Sequence, residues 1–185
     1  MQKLYEAVRA GDREAAKTLV ASDPTLAIFA AAIFGDVAEV EKLLTGNRSL
    51  VTAVSPDGWL PLHLAAHFGH TDVVRALLNK GAQVNASSTN ALHNVALHAA
   101  AAGRAQAAAK LLLDAGANVN ARQEGGWTPL HSVAQNGDIE FARLLAEAGA
   151  DVNVRADNQQ RPLDLALTKG QQAMVDFLES HGASL

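Results

Sequence analysis

A ten-residue phrase recurs along the chain with little change: LPLHLAAHFG at Leu60–Gly69, TPLHSVAQNG at Thr128–Gly137 and RPLDLALTKG at Arg161–Gly170. The first is followed by a helical stretch and then GAQVNA at Gly81–Ala86; the second ends in GADVNV at Gly149–Val154, and the third in HGA. A period in the low thirties is the mark of a stacked repeat protein, because one unit cannot bury its own apolar face and neighbours must cover it. The glycines that close the first helix of each unit are read as Gly11, Gly35, Gly69, Gly103, Gly137 and Gly170, with gaps of 24, 34, 34, 34 and 33 residues. Such spacing predicts an all-α solenoid of about six helix pairs.

The units follow in order within a single domain, 1–185. Residues 1–24 form an N-terminal cap unit, 25–57 a second, 58–90 a third, 91–124 an irregular fourth, 125–158 a fifth and 159–185 a C-terminal cap unit. Asp12 and Asp36 each follow a marker glycine and are expected to cap the next helix. Pro61 sits in a first helical turn, where a missing backbone donor costs nothing. His63, two residues later, is expected to bond back to the backbone near its helix start. The fourth unit carries one extra residue by the asparagine-to-glycine spacing, 18 from Asn85 to Gly103 against 17 from Asn120 to Gly137, and either His93 or His98 could take its structural histidine role. After it the chain is alanine-dense, AAAAGRAQAAAKLLL, which favours helix and a slim packing surface.

Composition narrows the chemistry. With no cysteine there is no disulfide or thiolate metal site. The N-terminal MQKLYEAVRAGDREAAKTL is amphipathic and charged from its third residue, unlike a signal peptide or a membrane span, so a cytoplasmic setting and no membrane partner are expected. A net charge of −4 with no basic stripe argues against nucleic acid.

TPLH at Thr128–His131, LPLH at Leu60–His63, Gly69-His70, and the GAxVN segments at Gly81–Asn85, Gly116–Asn120 and Gly149–Asn153 resemble the ankyrin repeat family. That resemblance implies two helices per unit, projecting β-hairpin loops between units, and a protein partner held on the concave face of first helices and hairpin tips. The positions it implies are the residue before each helix start and the two before each marker glycine: Trp59, His67 and Phe68, then Trp127, Gln135 and Asn136, with Ile33 and Phe34 in the second unit. Ile33, Phe34, Trp59 and Phe68 are expected to form an apolar patch with a polar rim. Both tryptophans could equally shield their own turns.

Other chemistry finds little support. His63 and His67 lie four apart, as two zinc ligands on one helix face would, but no HExxH accompanies them. No nucleophile elbow or phosphate loop is present. The expectation is a non-enzymatic protein-binding scaffold with no cofactor, monomeric in isolation; a hydrolytic or metal-dependent enzyme using surface histidines, or a purely structural self-associating protein, are the alternatives. The hairpin asparagines Asn85, Asn120 and Asn153 are accounted for by side-chain bonds to the backbone of their turns.

Overall fold

The computed structural model describes residues 1–184, so the expected chain end at Leu185 lies outside the described residues. Twelve α-helices follow one another: α1 (Gln2–Arg9), α2 (Arg13–Ser22), α3 (Ala27–Phe34), α4 (Val37–Gly46), α5 (Pro61–His67), α6 (Thr71–Asn79), α7 (Ala96–Ala102), α8 (Gln106–Asp114), α9 (Pro129–Asn136), α10 (Ile139–Glu147), α11 (Pro162–Thr168) and α12 (Gln172–Ser180). Each odd-numbered helix packs on the even-numbered one after it. Odd helices also stack on odd ones from α3 to α11, and even on even from α4 to α12, which makes a two-layer helical solenoid.

Local sequence explains the starts and stops. Asp12, Asp36 and Asp138 each accept a bond from the backbone N–H three residues on, Ala15, Glu39 and Phe141, satisfying a donor the helix leaves free. Pro61, Pro129 and Pro162 occupy the first turn of their helices. The helix-to-helix seam is lined with methyl groups: Ala65, Ala66, Ala100, Ala134 and Ala166 are fully buried. Larger residues of the second helices, among them Leu77, Leu112, Phe141, Leu145 and Leu178, fill the rest of the core.

Among the described residues there is no β-strand, so the loops expected as β-hairpins are turns. Ser55 N–H donates to the Trp59 carbonyl at 2.8 Å, Gln123 to Trp127 at 2.9 Å and Ala156 to Gln160 at 2.9 Å. A turn closed that tightly leaves little chain for a ladder. The turns bond to one another instead, Thr89 N–H to the Gly58 carbonyl, Glu124 to Leu92 and Asp157 to Gly125, at 2.8–2.9 Å.

The fourth unit differs from its sequence reading. Its turn closes from Ser88 to Asn94, six residues apart against four in the other three, so two residues are inserted rather than one. The register past α7 then shifts by one. Gly35, Gly69, Gly137 and Gly170 take the left-handed conformation at φ of 66–75°, whereas here Arg104 takes it, at φ 55°, and Gly103 is right-handed at φ −80°. Gly103 serves another purpose: a Cβ built there would collide with the His67 carbonyl oxygen. Its missing side chain lets α7 approach α5.

Histidines tie successive repeats together. His98 accepts from the Val95 N–H at Nδ1 (3.4 Å) and donates from Nε2 to the Trp127 carbonyl (3.0 Å). His131 repeats this with the Thr128 N–H (3.1 Å) and the Gln160 carbonyl (3.1 Å). His98, not His93, therefore fills the role left open between them; His93 sits exposed in the inserted turn. His63 keeps only the forward half, Nε2 to the Asn94 carbonyl at 2.9 Å, and its Nδ1 has no protein partner, so the expected bond back to its helix start is absent. At the last repeat Asp164 caps the Arg161 N–H at 2.8 Å, and the Arg161 guanidinium reaches on to the Ser184 carbonyl.

The asparagines also bond forward, not within their own turns. Asn85 Nδ2 donates to the Gly116 carbonyl and its Oδ1 accepts from Asn118 N–H. Asn120 does the same with Gly149 and Asp151, and Asn153 with Gly182 and Ser184. Where RSLVTA replaces the usual segment, Arg48 reaches the Lys80 carbonyl at 3.2 Å.

Two outcomes are expected. Gly103→Ala should cost about 3 kcal/mol or more by overpacking against backbone that cannot step aside, read by urea denaturation. Stability should also fall in acid: burial lowers the pKa of His63, His98 and His131, that of His98 from 6.5 to about 4. These rings are neutral when folded, so the unfolded chain takes up protons first. The stabilisation is complete above about pH 6.5 and is lost as pH falls from there towards 4, on the order of 3 kcal/mol for His98 alone. Denaturation midpoints measured across that range should show a shallower slope for His98→Gln than for the wild type.

Candidate functional site

The first helices and the turns before them enclose a cavity of about 480 Å³. Trp59 enters from the turn before α5, His67 and Phe68 from the end of α5, Leu92 and Asn94 from the inserted turn, and Tyr5, Val8 and Arg9 from α1. His63 and His98 line its inner side. The size lies within the range of small-ligand and side-chain pockets.

Each wall is held from behind. Trp59 lies with its ring centroid 5.8 Å from that of His63, and its backbone N–H donates to the Ser55 hydroxyl at 2.9 Å. His67 meets the edge of Phe68 at 5.1 Å and 87°, and its Nδ1 donates to the Ala99 carbonyl at 3.3 Å. Tyr5 reaches from α1 towards the turn before α5, where burial first and then the nearby Asp57 carboxylate push its phenol well above the usual range, so it stays neutral.

Three of the residues singled out from the sequence thus meet here: Trp59, His67 and Phe68. Ile33 does not join them. It is 1% exposed within the core, because the hydrophobic α3 is buried on nearly every side, and only its carbonyl is engaged, by His70 Nε2 at 2.8 Å. Phe34 faces away, with the Arg13 guanidinium 5.4 Å from its ring centroid, and borders a separate cavity of about 390 Å³ beside Lys17. The four-residue apolar patch expected from the sequence is therefore not assembled.

Trp127 lies 5.5 Å from the His131 ring, half-buried. Gln135 is exposed, and its carbonyl accepts from Gln171 Nε2 at 3.1 Å. Asn136 bonds back to the Ala101 carbonyl at 3.4 Å while its own carbonyl accepts from Arg104. None of these three lines the larger cavity, although Gln123 and Ser132 beside them do.

Sequence reasoning missed Tyr5, Leu92 and Asn94, and named His98 only for a structural role. Tyr5 carried no register signal, because the first unit is short. Leu92 and Asn94 were obscured by the second inserted residue; with it in place, Asn94 falls in the register of Trp59 and Trp127, immediately before a helix start.

The histidines do not converge on one point. His63 is bonded forward to the Asn94 carbonyl, His67 forward to Ala99, and His70 backward to Ile33. Among the described residues no group of three or more His, Cys, Asp or Glu side chains is arranged to hold a metal ion, and no helix is long and apolar enough to cross a membrane.

Comparison with known proteins agrees with this architecture. The family described as ankyrin repeats (3 copies) matches residues 4–88, 28–123 and 97–185. The chain is 36% identical over 139 residues to the tyrosine-protein kinase Shark of Drosophila melanogaster, covering 75% of this chain and 14% of the kinase. It is 29% identical over 149 residues to human SH3 and multiple ankyrin repeat domains protein 2, covering 76% of this chain and 8% of that protein, and 33% identical over 114 residues to human diacylglycerol kinase iota, covering 60% and 11%. The chain therefore spans a small fraction of these relatives' length. Its matched repeats, their order and the two-layer helical stack lead to one statement of kinship: this chain belongs to the ankyrin repeat family.

Proposed function

We propose that the chain is a non-enzymatic protein-interaction module, a stack of six two-helix units that holds a protein partner on the face formed by its first helices and turns. One observation carries this reading: Trp59, Phe68 and His67 meet Tyr5 and Leu92 around a single apolar cavity on that face. Aromatic side chains gathered around a recess and rimmed by polar groups are the arrangement in which a few residues dominate binding energy. The family supports it too, since ankyrin repeats serve generally as interaction modules. Trp127, Gln135 and Asn136 supply a second, more polar contact zone along the same face.

Phe68→Ala and Trp59→Ala should each weaken calorimetric affinity for a partner recovered from the source cell by about 2 kcal/mol. Lys110→Ala, on the exposed face of α8 and paired with Asp114, should stay within about 0.5 kcal/mol. Equal affinities for wild type and both aromatic variants would refute the assigned face. The free chain is a monomer in this reading, because its terminal helices present polar residues such as Glu14, Lys17, Gln172 and Asp176 outward. Sedimentation across a concentration range should return a constant monomer mass, and a dimer persisting at low micromolar concentration would contradict it.

A further inference from the structure

The cavity owes its shape to one side chain. In the turn before α5, Trp59 leans over His63, and in the turn before α9, Trp127 leans over His131, with centroids 5.8 and 5.5 Å apart. The intervening repeat has the same histidine, His98, with the same forward bond, but Asn94 stands where its neighbours have tryptophan. A carboxamide covers far less than an indole. The room over His98 is thus bounded by Trp59 and Phe68 on one side and Leu92 on the other, and it forms part of the cavity.

Asn94 also brings an unmet need. It is 5% exposed, and its side-chain Oδ1 accepts no hydrogen bond from the protein. Its backbone is fully engaged, the N–H with the Ser88 hydroxyl and the carbonyl with His63 Nε2 and Ser88 N–H. The side chain therefore contributes nothing to holding the turn. A buried acceptor without a donor costs free energy, and a ligand that supplies the donor recovers it.

Resting on the protein-binding reading above, we propose that this cavity receives a tryptophan side chain of the partner protein, which takes the position over His98 that Trp59 and Trp127 hold over their own histidines. The ring lies against Trp59 and Phe68, and its indole N–H donates to the Asn94 carboxamide oxygen once that buried side chain turns its oxygen into the cavity. An indole suits the site better than a phenyl ring because it brings both a flat apolar body and a single ring donor. Lysine or arginine suits it less, since Arg9 stands in the cavity wall.

The test needs no partner. A capped tripeptide, acetyl-Gly-Trp-Gly-amide, is titrated into the 15N-labelled chain alongside acetyl-Gly-Phe-Gly-amide and free indole. The wild type should bind the tryptophan peptide saturably, with shifts at the Trp59 indole and Asn94 carboxamide signals, and about ten-fold more tightly than the phenylalanine peptide. Asn94→Trp should fill the cavity from within, raise Tm and abolish binding. Asn94→Ala keeps the room but removes the acceptor, and should erase the preference for tryptophan over phenylalanine; it stands as the test if Asn94→Trp fails to fold. No saturable binding by the wild type, or binding unchanged in a folded Asn94→Trp or Asn94→Ala, would overturn the proposal. Free indole binding without the tripeptide would overturn a protein as its source. A partner held through Phe68 by a chain that ignores the tripeptide would sink the tryptophan pocket while leaving the interaction module intact, so the two readings fail separately.

Discussion

A neutral imidazole donating from Nε2 to the carbonyl just ahead of the next first helix is the contact on which this stack most depends. One ring does two tasks where both nitrogens are used: Nδ1 ends a helix's surplus of free N–H groups, and Nε2 fixes the distance to the following turn. Because both bonds lie in buried surroundings, neither can be exchanged for water without loss. The ring must stay uncharged to accept and donate at once. Asp164 with Arg161 solves the same geometry differently, the carboxylate capping and the guanidinium reaching forward, and the close pairing holds the Asp164 carboxyl below its usual range.

Repeat order and helix positions were legible because they rest on short-range chemistry. An aspartate after a glycine announces a cap, and a proline two residues before a histidine announces a first turn; both signals sit within four residues of what they determine. What was illegible depends on neighbouring units. Arg104 in the left-handed position beside a right-handed Gly103 reverses the usual assignment, and only the carbonyl of His67 explains why the glycine is needed one residue early. The asparagines looked self-sufficient in their turns, yet each spends both ends of its amide on the next turn about thirty residues away.

The candidate site was half legible for the same reason. Trp59, His67 and Phe68 follow from register alone and do meet. Ile33 and Phe34 share that register but sit on α3, whose hydrophobic faces are covered all round and whose end is claimed by Arg13. Register gives a direction relative to the repeat. It does not give what the adjoining unit has already covered.

The first helix has a double allegiance. Tyr5, Val8 and Arg9 complete one wall of the large cavity, while α1 itself rests mainly on α2 and α3 at the edge of the stack. Because the same helix supplies both the cavity wall and its own packing on α2 and α3, the two are linked: an occupant that settles against Tyr5 and Arg9 also holds α1 in place, and whatever loosens α1 from α2 and α3 lets the occupant go.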